Sequence, residues 1–122
     1  MTDQRKNLGA YGERLAEQHL IEQGYTIIAK NWRCSAGELD LVAQQGAELV
    51  FVEVRTRRGA YLGAPEESIT PAKQTRLIRL AYTFLERWAE PDIAWRIDIV
   101  AILLDRRGRV SRLNHLISAV GE

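Results

Sequence analysis

Residues 37 to 55 read Gly37-Glu38-Leu39-Asp40-Leu41-Val42-Ala43-Gln44-Gln45-Gly46-Ala47-Glu48-Leu49-Val50-Phe51-Val52-Glu53-Val54-Arg55. Two aliphatic, partly β-branched runs flank a glycine-bearing turn, the pattern of an antiparallel hairpin. With Gly46-Ala47 as a two-residue turn of the glycine-first type, Gln45 pairs with Glu48, and counting back sets Asp40 opposite Glu53. Side chains alternate with period two, so both carboxylates point to one face, and Arg55 follows two residues along on the same side. Directly opposed Cβ atoms lie about 5 Å apart. Two unit charges at that distance repel by roughly 3 kcal/mol at an effective dielectric near 20, so something has to compensate. Two readings stay open. A hard divalent cation could be held by both carboxylates, with waters, a substrate phosphate and a backbone carbonyl near Val54 completing its shell. Alternatively, the acids decorate a solvent-facing sheet and are neutralised by Arg55. The same face carries Leu49 and Phe51, so it is not simply polar.

Working outward, residues 7–23 predict a helix, with Asn7 able to cap it and Gly24 placed as its C-terminal stop. Gly9, Glu13, Ala16 and Leu20 fall at i, i+4, i+7 and i+11, so an acid shares a stripe with small and apolar side chains; Leu8, Tyr11 and Leu15 form the neighbouring stripe. Strands are predicted over 25–33, 38–45 and 48–57, followed by a loop over 58–69. Thr70 and Pro71 are an N-cap and first-turn proline that open a second helix to about Trp88, with a core stripe of Leu77, Ala81, Phe84 and Trp88 and Pro91 closing it. A β-run over 94–104, a turn over 106–108 and a last strand from Arg109 complete the chain. The order α-β-β-β-α-β-β lacks the regular alternation of a doubly wound nucleotide-binding fold. It predicts one α/β domain over residues 1–122, a central mixed sheet of about five strands flanked by two main helices. No glycine-rich nucleotide loop is present.

The 122 residues are 46% hydrophobic and 27% charged, which suits one ordinary globular domain. A single cysteine, Cys34, excludes an internal disulfide and a Cys-rich zinc site, so a reducing, cytoplasmic setting is expected. No apolar run approaches the ~20 residues of a membrane span. The net charge of +1 is neutral evidence on nucleic acid, but its distribution is not. Between residues 55 and 79, Arg55, Arg57, Arg58, Lys73, Arg76 and Arg79 face only Glu66 and Glu67. Arginine's planar fork suits phosphate. His19 and His115 have no zinc-ligand spacing and read as bland. Trp32, Trp88 and Trp95 read as packing, and Arg96 with Asp98 as a structural ion pair.

Gly12-Glu13 in the first helix, GELDLVA at 37–43, FVEVRTR at 51–57, Lys73 opening the second helix and Arg96-Ile97-Asp98 together resemble the YraN family. That family is similar to restriction-endonuclease-like PD-(D/E)xK nucleases, particularly Holliday-junction resolvases. The resemblance covers nearly the whole chain. It implies a metal-dependent endonuclease acting on branched or structured DNA, with Asp40 and Glu53 as ligands of Mg²⁺ or Mn²⁺ and Glu13 as a third acid. Arg55 stands where the nuclease signature has lysine. Arginine stays protonated, so it can offset phosphorane charge but cannot act as a general base. Lys73 or Gln74 matches the place of an auxiliary polar residue, while Arg57, Arg58, Arg76 and Arg79 would track the DNA backbone. By analogy with resolvases, a homodimer is expected. The alternative from another class is a non-catalytic DNA-binding or assembly module on a degenerate nuclease fold; a third reading is a protein-interaction domain.

Overall fold

The structure, a computed structural model, describes residues 2–59, 63–90 and 92–121, with the side chains of residues 2–6 outside the description. Residues 60–62 of the predicted loop and Pro91, the predicted helix stop, lie outside the described residues. In chain order the elements are α1 (Thr2–Glu22), β1 (Thr26–Cys34), β2 (Gly37–Gln45), β3 (Glu48–Arg58), a 3-10 turn (Pro65–Ser68), α2 (Pro71–Leu85), β4 (Ala94–Leu104) and β5 (Val110–Val120). The strands form one mixed sheet in the order β1-β2-β3-β4-β5, antiparallel throughout except for the parallel pair β3–β4. A parallel pair needs a crossover, and α2 supplies it.

The hairpin has the expected register. Gln45 pairs with Glu48, and the ladder runs to Leu41 opposite Val52, one step short of the two acids. Gly46 has φ 59°, whereas Ala47 is not among the described non-glycine residues with positive φ, which fits a turn of type II′.

α1 begins earlier than expected. Asn7 is not its cap, because the helix already runs from Thr2 and the preceding Gln4, Arg5 and Lys6 are good helix formers with nothing to stop it. Its end is as read. Gly24 takes φ 91°, Gly24 N–H donates to Ile21 O at 3.0 Å and Tyr25 N–H to Leu20 O at 2.9 Å. These are the paired bonds of a Schellman cap, and Leu20 and Tyr25 join one core cluster across it. α2 opens at the Thr70 cap, whose hydroxyl accepts from Lys73 N–H at 3.2 Å. It ends at Leu85, short of Trp88, which stacks on Phe84 from the following turn.

Two cores sandwich the sheet. On one face, Leu77, Leu80, Ala81, Phe84 and Leu85 of α2 pack on Val42, Leu49, Phe51, Ile97 and Ile99. On the other, Ala16 and Leu20 of α1 pack on Leu41, Ala43, Val50, Val52, Val100 and Ile102. β4 is therefore buried on both sides, as a strand with a parallel neighbour tends to be. α1 approaches β3 so closely at Gly12 that a Cβ there would lie 1.8 Å from Thr56 Oγ1. Trp32 and Trp95 pack edge-to-face on Phe84 and Phe51, as expected of core aromatics.

Candidate functional site

Past Leu41, β2 stays paired with β1, through Leu39 with Trp32 and Glu38 with Arg33, while its ladder with β3 stops. The backbone group freed there finds a side chain instead: Val54 N–H donates to Asp40 Oδ2 at 2.8 Å. That bond fixes Asp40 beside Glu53, and the two carboxyl groups share a hydrogen bond. They line a cavity of about 340 Å³ on the α2 face with Glu38, Arg55, Lys73, Arg76, Leu77 and Leu80.

Electrostatics here are unbalanced. Burial, then the Asp40 charge, push the Glu53 carboxyl up to about 8 despite opposing pulls from Arg55 and Lys73. Burial also raises Asp40, against the Val54 N–H and Glu53 hydrogen bonds. Arg55 Nη2 lies 3.1 Å from Glu53 Oε2, but one guanidinium does not offset the burial of two adjacent acids. The two carboxyls titrate as one coupled pair, and burial holds both above the usual carboxylate range. Arg55 Nε is buried and makes no hydrogen bond, and neither does the adjacent Thr56 Oγ1. A second cleft, of about 480 Å³, adjoins the cavity and is lined by Arg55, Thr56, Arg57, Arg58, Ser68 and Lys73 among others. Arg55 and Lys73 belong to both.

The remaining expected site residues divide. Arg76 walls the acidic cavity, while Arg57 and Arg58 wall the second cleft. Gln74 and Arg79 line neither. Glu13 stands within electrostatic reach of Asp40 but lines neither of these two cavities. It comes from α1, which covers the opposite face, and it lines a separate cavity of about 170 Å³ with Asn31, Lys30 and Leu41. Burial, then the charges of Asp40 and Glu38, raise its carboxyl. The Asn31 amide, oriented with nitrogen toward the acids, bridges Glu13 Oε1 and Glu38 Oε1 at 2.9 Å each, from a left-handed backbone with φ 51°. Among the described residues no group of three or more His, Cys, Asp or Glu side chains could hold a metal ion.

The sequence reading missed one polar cluster. Asp98, fully buried, accepts from Arg96 Nε at 3.0 Å, Ser118 N–H at 2.9 Å and His115 Nε2 at 2.8 Å. Arg96 also reaches Tyr25 Oη, Gln45 and Glu48, so the expected ion pair is the centre of a larger network. Burial would raise Asp98, but the bonds from His115, Arg96 and Ser118 outweigh it and hold its carboxyl below the usual range. The pairing of β4 and β5 slips between Ile97 and Ile99, where Ser118 takes φ 52° and turns its N–H to Asp98. His115 in turn meets His19, so the two histidines are not bland. Their separation of 96 residues hid the pair, because only the strand register brings them together.

No helix among the described residues is long and apolar enough to cross a membrane. Residues 12–102 match the model of an uncharacterised protein family, UPF0102. The chain is 49% identical over 123 residues to a UPF0102 protein of Chloroflexus aurantiacus, covering all of this chain and 99% of the relative. It is 47% identical to a UPF0102 protein of Roseiflexus castenholzii with the same coverage, and 45% identical over 119 residues to one of Pelotomaculum thermopropionicum, covering 98% and 99% of the two chains. With a full-length match at this identity, and with the motifs at residues 37–43 and 51–57 set in one hairpin, the chain belongs to the uncharacterised family UPF0102, the YraN family.

Proposed function

We propose that the protein is a metal-dependent endonuclease that hydrolyses phosphodiesters in branched or otherwise structured DNA. The observation that carries this reading is the Asp40–Glu53 pair, which keeps a proton to about pH 8 between Arg55 and Lys73. Two adjacent carboxylates are hard oxygen donors, and a dication of the Mg²⁺ or Mn²⁺ type would take the place of that shared proton. Asp40 and Glu53 would hold it, with the Val54 carbonyl as the proposed backbone donor and water and substrate phosphate in the remaining positions. When bound, such an ion polarises a phosphate oxygen and lowers the pKa of a coordinated water.

The chain's own groups would do the rest. Arg55 Nε, buried without an acceptor, has the free donor that a phosphate oxygen requires, and a charge-assisted bond there would strengthen as negative charge builds on phosphorus. Lys73 stands between the two cavities and would hold the same strand. Arg57 and Arg58 would carry the backbone through the second cleft, with Arg76 on the other side. Such contacts bind phosphate and carry little base information. A homodimer would suit a substrate with two symmetric cuts. The test is incubation of labelled four-way junction, flap and duplex DNA with the protein and Mn²⁺. Cleavage that Asp40→Ala and Glu53→Gln abolish supports the proposal, and cleavage that survives both refutes the assigned site.

Arg55 favours a second reading. A permanently protonated side chain 3.1 Å from Glu53 cannot accept a proton from water, which suits a DNA-binding module without hydrolysis. An inert wild type that binds junctions, together with an Arg55→Lys variant that cuts, would establish that reading.

A further inference from the structure

The β4–β5 connection carries a charge excess that neither the acidic cavity nor its cleft uses. Leu104 pairs with Val110, and the five residues between them, Asp105-Arg106-Arg107-Gly108-Arg109, form a pinned loop. Asp105 N–H donates to Arg109 O at 2.8 Å and Gly108 N–H to Asp105 O at 3.0 Å, while Asp105 Oδ1 accepts from the N–H groups of Arg107 and Arg109 at 2.8 and 2.9 Å. Gly108, at φ 83°, supplies the left-handed residue that closes the loop. We propose that this turn is a second phosphate-binding site, which grips the backbone of a duplex DNA arm about six base pairs from the acidic cavity.

The charge has no other use in the fold. Asp105 is taken up by those backbone bonds and by Arg109, whose Nε lies 3.4 Å from Oδ2. Arg106 and Arg107 are exposed and, among the described residues, have no acid partner. Arg58 joins them from β3: its Nη2 lies 3.1 Å from where a Cβ on Gly108 would stand, so the guanidinium rests against the turn. Four arginines then face one aspartate, a local excess of four minus one, or +3. Like charges held together on a fixed backbone repel, and a polyanion relieves that repulsion. Arginine's planar fork suits phosphate. The loop has no aliphatic or aromatic side chain to enter a bilayer, which favours nucleic acid over a lipid surface.

Position supplies the rest. β3 and β4 run parallel with Arg58 beside Leu104, so the turn caps the end of the sheet that bears the second cleft. Ile99 lies beside Glu53, and Asp105 is six residues further on, roughly 20 Å at the rise of a strand. Along a duplex each strand presents a phosphate every ~3.4 Å, so roughly 20 Å is about six base pairs. Arg58 is common to the cleft and the turn and makes them one path: a strand leaves the cleft past Arg58, and its duplex arm meets Arg106 and Arg107. This path rests on the DNA reading of the cleft, and it adds the length of arm that the protein requires.

The experiment is fluorescence anisotropy of the full chain in EDTA with four-way junctions whose hairpin-capped arms have about four or about twelve base pairs. Expected for the Arg106→Gln/Arg107→Gln double variant is a roughly tenfold loss of affinity for the long-armed junction, a salt slope smaller by about 2, and no change for the short-armed one. Both side chains are exposed, so the fold should be intact, with an unchanged urea midpoint as the check. Arg14→Gln/Arg87→Gln removes the same charge beside β1, at the other edge of the sheet, and should leave both affinities nearly unchanged. An equal loss on both arm lengths, no loss on either, or the same loss in Arg14→Gln/Arg87→Gln would overturn the proposal. So would pelleting with phosphatidylserine vesicles that the Arg106→Gln/Arg107→Gln variant abolishes, which assigns the turn to a membrane instead. A wild type that binds neither junction overturns it together with the DNA reading of the cleft, whereas binding as expected without cleavage in Mn²⁺ supports the turn and refutes hydrolysis alone.

Discussion

Replacing Glu53 by Gln should make the protein more stable at pH 8 and leave it nearly unchanged at pH 5. The folded-state pKa of Glu53 lies above its unfolded value, about 8 against 4.5, so the folded chain keeps a proton that the unfolded chain releases. Stability therefore falls as pH rises through that window, the reverse of an ordinary salt-bridged carboxylate. At 1.36 kcal/mol per unit the gap amounts to as much as about 5 kcal/mol by pH 8, a large share of a small domain's stability. The Glu53 side chain is only 14% exposed, so solvent screening removes little of it. Glutamine keeps the shape, donates to Asp40 as the protonated acid does, and has no proton to lose.

The assay is urea unfolding of both proteins at pH 5, 6, 7 and 8 at fixed ionic strength. Glu13 adds to the loss with rising pH, since its carboxyl is also raised. His19 has the opposite sign: burial, then His115, lower its pKa, so its contribution grows as pH rises through the unfolded value. Both are common to the two proteins, and the difference between the curves isolates the pair. A wild-type curve no steeper than that of Glu53→Gln refutes the reasoning. Added Mn²⁺ should stabilise the wild type at pH 8 by binding in place of the proton, and should stabilise Glu53→Gln much less.

Gly12→Ala should destabilise by about 1–3 kcal/mol, because the new methyl meets both Thr56 Oγ1 and Thr56 Cβ and forces α1 off β3; urea midpoints measure this. Asp98→Ala should cost about 3–5 kcal/mol, since it leaves Arg96 with Glu48 as its one carboxylate partner among the described residues and takes the acceptor from His115 Nε2 and the Ser118 N–H, and hydrogen exchange should show β5 opening first. Thr70→Ala removes the α2 cap and should cost about 1 kcal/mol by the same melts. If the second cleft binds DNA, Arg58→Ala should weaken every junction and duplex alike and reduce the salt slope by about 1, read by fluorescence anisotropy across salt concentrations.

The hairpin was legible because each of its signals is local. Gly46 sets the turn, the period of two sets the faces, and together they put Asp40 beside Glu53 before any tertiary contact is considered. Thr70-Pro71 and Gly24 were legible for the same reason, since a cap is chemistry over a few residues. What the sequence hid depends on distance along the chain. Glu13 shares a helical stripe with Ala16 and Leu20, but periodicity does not say which face of the sheet the helix covers; α1 covers the face away from the acid pair. Arg96 and Asp98 read as a pair on one strand, yet the partners that complete them, Tyr25, Glu48, His115 and Ser118, come from elements up to 71 residues away.

The two groups of buried acids differ in a way that bears on what each is for. Asp98 is fully enclosed, yet it has charged and neutral donors on both oxygens, and its carboxyl is held low. Such an acid is at rest: removing a partner costs stability, and adding a ligand gains nothing. Asp40 and Glu53 are less deeply buried, yet burial raises both carboxyls, at Glu53 with the Asp40 charge behind it, and the pulls of Arg55 and Lys73 on Glu53 do not offset it. An apolar pair on the same strands would fold more firmly. Strain of this kind persists where a second, transient partner relieves it, and a dication with its phosphate would do so, cancelling the excess charge and filling the free donor on Arg55 together. Perturbed titration therefore sets the acidic cavity, rather than the buried Asp98 network, as the place where the proposed substrate chemistry would act.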